Sequence, residues 1–248
     1  MIENMKIENC LVNPGVLPSL LNPDYGSTAV PVKDHSIPGM IKAVDYDIGA
    51  VGVAYNDADY MNDGDGSYNS GWTYRNDGVD IEKNGNNTNG IDYSVGWTEP
   101  GDWMQYTIND VQEGMYDIKL SIAGQGGGVI NTLLNEINLG YNTVPNTGGW
   151  YNWQTITISD VIIESEPQYL KIMTLQPGYN IESIEFILIE DLQGDVNLDG
   201  TVNVTDVVQM VNIILEGSDD FNDLADLNND FLINIVDVLL LLNLILNQ

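Results

Sequence analysis

Apolar and polar residues alternate along much of the central part of the chain. In the segment Tyr116–Ile122 every second residue is apolar, which is the period of a strand with one buried face. The same alternation occurs in residues 104–108, 153–158 and 184–188, and glycine-rich turns separate the runs. Many short strands without a helical period predict a mainly β fold, a β-sandwich of the jelly-roll type over residues 37–190.

The two ends of the chain have different patterns. Residues 1–36 contain four prolines and no clear period, which predicts a linker or the tail of a missing domain. Residues 191–248 include two runs, Val207–Leu215 and Val238–Leu246, that are apolar nearly all round. We predict a small all-α unit whose two helices are buried on two sides. Since so small a unit cannot cover both helices, they dock onto another protein, join an identical chain or pack back on the sandwich.

The charge balance excludes several classes of function. Seven Lys and Arg residues stand against 37 Asp and Glu, a formal net charge of -30. Such a chain repels phosphate backbones and anionic lipid, so we predict no nucleic-acid partner and no membrane partner. The single cysteine excludes an internal disulfide framework and a thiolate zinc site, and the single histidine argues against zinc hydrolysis and a Ser-His-Asp triad. The N-terminus lacks the apolar segment of a signal peptide, so we expect a processed protein or a piece of a longer one.

An acidic segment of twelve residues occurs twice near the C-terminus, as Asp195–Asp206 and Asp226–Asp237. Both copies carry Asp, Asn, Asp, Asn and Asp at positions 1, 3, 5, 9 and 12. Oxygen atoms at this spacing can surround a hard cation such as Ca²⁺, with the carbonyl of position 7 as a further ligand. We predict two calcium ions, with these ligands: Asp195, Asn197, Asp199, Thr201 and Asp206; Asp226, Asn228, Asp230, Leu232 and Asp237.

The alternative for these segments is a chance turn rich in Asx residues. Two copies in register, each followed by an apolar helical run, argue against chance. The second copy has Phe231 where the first has Gly200, at a position that favours a sharp turn, so we expect the second site to bind more weakly or to bend differently. From Asp195 onward the chain has ten acidic residues and no basic one, so calcium binding should also stabilise the fold.

Each acidic loop precedes a helix, but no helix precedes the loop. Two such units resemble a type I dockerin, the module that attaches extracellular enzymes to cohesin domains. The resemblance covers residues 194–247 and implies two antiparallel helices, each held by calcium. It also implies a surface for a cohesin-like protein, made by these residues: Val204, Thr205, Val208, Met210, Ile235, Val236, Leu239 and Leu241. The cellulosomal pattern often has a Ser-Thr pair at loop positions 10 and 11, and both copies depart from it, so we expect a partner of different specificity.

Large aromatic residues are frequent in the loops of the central zone. They are Trp72, Tyr74, Trp97 and Trp150, with Tyr55, Tyr60 and Tyr68 nearby. A flat ring can stack on the apolar face of a pyranose, while amides and carboxylates bond its hydroxyls. Such a ligand is uncharged, which agrees with the shortage of basic residues. The alternative is that tryptophans form core, which we predict for Trp153 and Trp72.

The order of segments over residues 37–190 resembles a family 6 carbohydrate-binding module. The matching segments include Ile37–Asp47, Asp77–Glu82, Val95–Thr98, Gly101–Thr107, Val144–Trp150 and Gly178–Phe186. The resemblance implies that Trp97 and Trp150 are the walls of a sugar site. It places Asn180 at the base, donating and accepting hydrogen bonds, and lets Glu82 reach a hydroxyl from the side.

Two further features of that family bear on this chain. Some members have a second sugar site around the residue that matches Trp103, for which we find no acidic partner here. The family's first strand also supplies acidic ligands to a structural calcium. The corresponding positions here are Lys42 and Val44, an ammonium and an isopropyl group, so we expect that calcium to be lost or altered.

Together these features predict a non-catalytic, extracellular polysaccharide-binding protein, attached to a cohesin or scaffold partner through a calcium-dependent dockerin-like tail. A β-glucan, xylan or an agar-type galactan all fit as ligands. A glycoside hydrolase needs two carboxylates in a cleft. Glu99 and Asp102 are the nearest pair, but Asp102 more simply starts a strand, so we predict no catalysis. Two alternatives stay open: a self-assembling matrix or filament protein, and the C-terminal fragment of a longer glycoside hydrolase.

Overall fold

The computed structural model describes residues 21, 26–57, 74–75, 78–85, 90–189, 192–216 and 222–247. The chain divides into two compact units, Met1–Leu188 and Ile189–Gln248. The described part of the larger unit is built of strands, and the smaller unit holds two α-helices. The predicted class, mainly β with a small helical unit, is therefore confirmed. Trp72, Tyr60 and Tyr68 lie outside the described residues.

Two sheets form the larger unit. Their strands are β1 (His35–Ile37), β2 (Gly39–Lys42), β3 (Tyr55–Asn56), β4 (Ile81–Lys83), β5 (Tyr93–Val95), β6 (Trp103–Val111), β7 (Gly114–Gly124), β8 (Gly128–Leu134), β9 (Ile137–Val144), β10 (Gly149–Ile163), β11 (Gln168–Gln176) and β12 (Tyr179–Ile189). One sheet has the order β1-β6-β11-β8-β9, with β3 also paired to β6. The other has the order β10-β7-β12-β5-β4, with β2 also paired to β12.

The core lies between the inner faces of these sheets. On β7 the alternate residues Tyr116, Ile118, Leu120 and Ile122 are fully buried, as their period predicts. Residues 104, 106 and 108 on β6 face the same core. Tyr55 also belongs to this core, whereas Trp153, predicted as core, is only partly buried on β10. That prediction was wrong because the polar and apolar faces of β10 are not cleanly separated.

The sandwich begins before the predicted boundary at residue 37. Val30 and Ile48 exchange backbone hydrogen bonds of 2.8 and 2.7 Å, and His35 opens strand β1, which runs parallel to β6. Residues 30–36 are therefore part of the sandwich and not a linker. A three-residue strand and a single bridge are too short to produce a recognisable period, so sequence patterning missed them.

The smaller unit contains helices α1 (Val204–Glu216) and α2 (Ile235–Leu246). Both begin three residues before the apolar runs because an asparagine caps each N-terminus. Asn203 Oδ1 accepts the Thr205 amide at 2.7 Å, and Asn234 Oδ1 accepts the Val236 amide at 2.8 Å. The buried core consists of Val196, Met210, Ala225, Val238 and Leu241. Among the described residues, no helix combines the length and apolar character needed to cross a lipid bilayer.

Candidate functional site

A cavity of about 580 Å³ opens in the larger unit. It is lined by Glu82, Trp97, Thr98, Glu99, Pro100, Trp150, Tyr151, Pro177, Gly178, Tyr179 and Asn180. The four residues predicted for a sugar site, from three widely separated parts of the sequence, all line this one cavity. Ligand sites are concave and apolar with a few convergent polar groups, and this cavity has that character.

Two half-exposed indoles give the cavity its aromatic surface. Trp97 follows β5 and Trp150 lies at the start of β10, and each side chain is 41% exposed. Trp97 has a backbone φ of 45°, in the left-handed region. That conformation costs a bulky residue about 1–3 kcal/mol, and such strain is concentrated at functional sites. Tyr74, one of the loop aromatics named above, packs on Tyr93 with ring centroids 5.1 Å apart and does not line the cavity.

A hydrogen-bonded chain of three side chains forms the polar base. Asn180, on β12, is 2% exposed, and its Nδ2 donates to Glu82 Oε1 at 2.6 Å and to the Trp150 carbonyl at 3.0 Å. The Tyr151 hydroxyl donates to Glu82 Oε2 at 2.7 Å. Both oxygens of Glu82 therefore already accept a hydrogen bond from the protein. Sequence reasoning missed Tyr151, although its position beside Trp150 was an available signal.

Burial dominates the electrostatics of this base. It raises the pKa of Glu82, although hydrogen bonds from Tyr151 and Asn180 act in the opposite direction. Burial and the bond to Glu82 raise the pKa of Tyr151 to about 12, so the phenol stays neutral at physiological pH. No lysine, arginine or histidine is among the described residues that line the cavity. The cavity is thus suited to an uncharged ligand rich in hydroxyl groups.

The two carboxylates considered for catalysis have different roles in the structure. Asp102 Oδ2 accepts the Glu99 amide at 2.6 Å and so closes the turn before β6. This is the structural role that we expected for Asp102. Glu99 lines the cavity and is exposed.

The residue considered for a second sugar site, Trp103, lies on β6. The ammonium of Lys171 is 4.7 Å from the centre of its ring and 2.7 Å from Glu136 Oε1. One face of the indole is therefore occupied by a cation of the protein itself.

The segment after β2, where the family would hold calcium, has different chemistry here. Val44 is fully buried, and the carboxylate of Asp45 accepts hydrogen bonds from Lys33 Nζ, at 2.8 Å, and from the Tyr74 hydroxyl. Although burial lowers it, the bonds to Asp45 and Tyr74 raise the pKa of Lys33 overall, so the ammonium stays charged. Val44 and Asp45 do not fit a calcium ion, because an apolar group cannot ligate and the ammonium of Lys33 already occupies Asp45.

A second internal cation lies beside this segment. The buried guanidinium of Arg75 donates to the carbonyl of Asp47 at 2.9 Å and to that of Tyr46, whose ring it also covers at 3.5 Å. Two of the seven basic residues of the chain therefore supply positive charge to residues 45–47.

The two acidic loops of the smaller unit fold in the same way. In the first, Asp195 at position 1 accepts the amides of Asp199 and Gly200 at 3.1 and 2.7 Å. In the second, Asp226 accepts the amides of Asp230 and Phe231 at 3.1 and 2.8 Å. The loop thus curls around its first carboxylate in both copies, which brings positions 1, 3 and 5 to one side.

The carboxylate at position 12 closes each loop and also caps the helix. Asp206 Oδ1 accepts the Asn197 amide at 3.1 Å, and Oδ2 accepts the Asn203 amide at 2.8 Å. Asp237 makes the corresponding bonds of 3.4 and 2.9 Å to Asn228 and Asn234. Position 9 is the helix cap in both copies, so its side-chain oxygen accepts an amide of the helix.

The loops contain the oxygen atoms that calcium prefers. In the described part of the chain, no three acidic, histidine or cysteine side chains lie close enough together to hold a metal ion. Each loop nevertheless combines two buried carboxylates, Asp195 and Asp206 or Asp226 and Asp237, with further Asx side chains and a carbonyl at position 7. A carboxylate oxygen that accepts one amide keeps a second lone pair. This donor set therefore fits a hard divalent cation.

Phe231 occupies the glycine position of the second loop without changing its path. Its φ is 64°, close to the 82° of Gly200, and its side chain is 80% exposed. A non-glycine residue in this region costs about 1–2 kcal/mol. The second loop is therefore strained at the residue that the sequence indicated.

Two of the residues predicted for partner binding cannot contact a partner. Met210 and Leu241 are fully buried in the core of the smaller unit, because they face each other's helix. The other apolar residues predicted for that surface, Val204, Val208, Ile235, Val236 and Leu239, are between 47% and 66% exposed. Thr205 is also exposed. We call these six residues the outer helix surface.

Two family models match the chain. The carbohydrate binding module (family 6) matches residues 71–186, and the dockerin type I domain matches residues 193–246. Neither of these families is a catalytic domain. Both are typical of extracellular proteins.

A curated relative and several solved structures are similar to the chain. The β-agarase AgaA of Microbulbifer thermotolerans is 35% identical over 89 residues, which are 35% of this chain and 19% of the agarase. This chain thus spans about a fifth of that relative. The C-terminal family 6 module of the marine laminarinase LamC from Zobellia galactanivorans is 26% identical, with 59% of this chain and 96% of that one covered and a TM-score of 0.43. A β-1,3-glucan-binding family 6 module from Bacillus halodurans is 22% identical, with 62% of this chain and 98% of that one covered and a TM-score of 0.44.

Proposed function

This chain carries a family 6 carbohydrate-binding module followed by a type I dockerin domain, and we propose that it is a non-catalytic, secreted adaptor. The cavity between Trp97 and Trp150 holds a neutral polysaccharide, and the smaller unit attaches the chain to a cohesin or scaffold protein. The observation that carries the proposal is the convergence of two half-exposed indoles and a buried amide on one cavity without a basic residue among its described lining.

An agar-type galactan is the ligand that we favour among the three candidate polysaccharides. The relative that matches this chain over 89 residues is named as a β-agarase, an enzyme whose polymer is agar. The same likeness favours one alternative, in which this chain is the C-terminal part of a longer glycoside hydrolase. In both cases the 248 residues supply binding and attachment, and the chemistry of bond cleavage lies elsewhere.

Type I dockerin domains bind calcium, and we propose two ions for this chain. Asp195, Asn197, Asp199 and Asp206, with the carbonyl of Thr201, would hold the first. Asp226, Asn228, Asp230 and Asp237, with the carbonyl of Leu232, would hold the second. Each ion would supply positive charge to a loop that has no basic residue, so part of its binding energy becomes folding energy.

The partner surface follows from the same unit. The outer helix surface is apolar apart from Thr205, so it fits a partner with a complementary apolar face. Self-association through this surface is the alternative. It predicts dimers in sedimentation experiments with calcium and without any partner, whereas the adaptor is monomeric until a cohesin is added.

Affinity electrophoresis tests the sugar site. The chain is run through gels that contain agarose, laminarin or xylan, as parent, Trp97→Ala and Trp150→Ala. We expect retardation by at least one polymer, and a loss of at least tenfold in affinity, about 1.4 kcal/mol, in each variant. Tyr141→Ala, an exposed aromatic on β9 outside the cavity, is the matched control. Equal retardation of the parent and both tryptophan variants would refute the sugar site.

A further inference from the structure

We propose that Asn180 offers the ligand only its Oδ1 acceptor, held in that orientation by Glu82 and Tyr151, so that the cavity selects a sugar unit with a hydroxyl free to donate. The inference rests on the proposed sugar site. It differs from the sequence prediction, in which Asn180 both donates and accepts and Glu82 contacts a hydroxyl directly. In this arrangement Glu82 and Tyr151 are positioning residues.

The orientation of the Asn180 amide follows from its neighbours. Nδ2 is 2.6 Å from a carboxylate oxygen of Glu82 and 3.0 Å from the carbonyl oxygen of Trp150. An ionised Glu82 and the Trp150 carbonyl can only accept, so the nitrogen and not the oxygen must face them. The two amide hydrogens are thereby used within the protein. Asn180 lines the cavity, and its remaining polar atom is Oδ1. Among the described residues this oxygen has no hydrogen-bond donor, and it is not fully buried, so a ligand can reach it.

Tyr151 holds the carboxylate of Glu82 in place, and this carboxylate orients the amide of Asn180. Its hydroxyl donates to Glu82 Oε2, while Glu82 Oε1 accepts from Asn180, so the two bonds hold both ends of the carboxylate. Bonds to an ionised acceptor are stronger than neutral ones, so the orientation of the amide depends on the charge of Glu82. The three side chains are thus set before any ligand arrives.

Gly96 provides the space for this orientation. A Cβ atom at this position would lie 2.7 Å from Asn180 Oδ1 and 3.3 Å from its Cγ, closer than such contacts allow. Any larger residue would displace the amide. The backbone of Gly96 is not in the left-handed region, so the requirement for glycine is space and not conformation.

An acceptor at the base of the site selects among sugar units. A hydroxyl can donate to Oδ1, whereas a methyl ether or an anhydro bridge at the same position carries only acceptors. Sites that hydrogen-bond a hydroxyl strongly reject analogues that lack it, because a buried polar group then stays unpaired. We therefore expect the cavity to hold a ring that keeps this hydroxyl.

The pH dependence of binding gives a test, because few groups titrate here. The titratable groups that line the cavity are Glu82 on β4, Glu99 after β5, Tyr151 on β10 and Tyr179 on β12. Burial raises the pKa of both tyrosines, so neither ionises below neutral pH. Burial also raises the pKa of Glu82, and its bond from Tyr151 opposes this rise. Affinity should therefore be full above the pKa of Glu82 and fall as the pH drops through it.

The experiment is calorimetric titration of the full chain from pH 4 to 8 with agarotetraose, laminaritetraose and xylotetraose. For the tetrasaccharide that binds, we expect affinity to fall about threefold to tenfold on the acid side. Tyr151→Phe should move this loss to higher pH, because Glu82 loses a donor. Glu82→Gln should remove the acid loss, since a glutamine carbonyl still accepts from Asn180 without titrating. Glu185→Gln, an exposed carboxylate on β12 that does not line the cavity, is the matched control and should keep the parent profile.

A nuclear magnetic resonance measurement examines the amide itself. The two Nδ2 hydrogens of Asn180 are expected to be shielded from exchange without ligand and to keep their shifts when the tetrasaccharide is added. Gly96→Ala should abolish binding while the melting temperature of the sandwich stays within a few degrees of the parent.

The outcomes separate this inference from the proposed function. If none of the three tetrasaccharides binds, both are wrong. If one binds and Trp97→Ala abolishes it, but the profiles of parent, Tyr151→Phe and Glu82→Gln coincide, only the inference is wrong. A large shift or loss of the Asn180 amide hydrogens on binding would likewise show that the amide donates to the sugar.

Discussion

The core of the smaller unit offers a sharp test of the corrected helix orientation. Leu241 on α2 is fully buried beside Met210 and Val238, whereas Leu239, two residues earlier, is 59% exposed. The sequence placed both residues on the partner surface. Leu241→Ala and Leu239→Ala remove the same atoms from the same helix, so each is the control for the other.

The expected cost of Leu241→Ala follows from its burial. Truncating a buried leucine costs about 2–5 kcal/mol. A unit of 60 residues, at about 0.05–0.15 kcal/mol per residue, has a total stability of about 3–9 kcal/mol. The substitution therefore removes a large part of the stability. Calcium at about a thousand times its dissociation constant returns about 4 kcal/mol per ion. We expect the Leu241→Ala unit to be largely unfolded in chelator and folded in excess calcium.

The assay is circular dichroism at 222 nm during thermal unfolding of the full chain, with chelator and with calcium. Leu239→Ala should unfold within about 0.5 kcal/mol of the parent in both conditions, because it lies on the surface. It should instead weaken binding to a cohesin-like partner, and Leu241→Ala in calcium should weaken it less. Equal stability of the two variants in chelator would refute the assignment of Leu241 to the core.

Two further outcomes test the loops and the sandwich. Phe231→Gly should stabilise the smaller unit by about 0.5–1 kcal/mol in urea unfolding, since relief of the left-handed backbone exceeds the entropic cost of glycine. The matched Gly200→Ala should destabilise the unit. A loss of stability in Phe231→Gly would contradict the strain at this residue. Chelator should leave the unfolding temperature of the sandwich in calorimetry unchanged, because Lys33 and Arg75 supply the positive charge beside residues 45–47. A fall of several degrees would show that the sandwich holds a metal ion.

The alternating strands and the two acidic loops could be predicted because their signals are local. The period of β7 lies within eleven residues, and each acidic loop within twelve. The loop geometry is also local: the carboxylate of Asp195 accepts amides four and five residues later. A pattern that needs only neighbouring residues can be recognised in a single sequence.

The helix faces could not be predicted, for a reason that lies in the pattern itself. An amphipathic helix has one apolar stripe, and the contrast with its polar face identifies the buried side. In α2 the residues 238–242 are all apolar, so burial of Val238 and Leu241 and exposure of Leu239 leave no trace in the sequence. Only the partner helix, through Met210, decides which leucine is inside.

The hydrogen bonds at the polar base of the cavity could not be predicted from the sequence, for another reason. Glu82 and Asn180 are 98 residues apart in sequence but joined by a bond of 2.6 Å. Their resemblance to a known family brought them together, yet resemblance alone assigned them separate contacts with a sugar. The structure shows that they contact each other first, and that Tyr151 completes the chain.

The positive charges are supplied in different ways in the two units, and this bears on how attachment is controlled. In the sandwich, Asp45 is neutralised by Lys33, which is part of the chain. From Asp195 to the C-terminus there is no basic residue, so this part of the chain supplies no positive charge of its own to the loops. A fall in calcium should therefore weaken the attachment to a partner and leave the grip on polysaccharide intact. If the sugar cavity and the partner surface both depended on calcium, the chain would release the polysaccharide and the partner at the same time. It could then not exchange partners while it stays bound to the polysaccharide, as the proposed adaptor would.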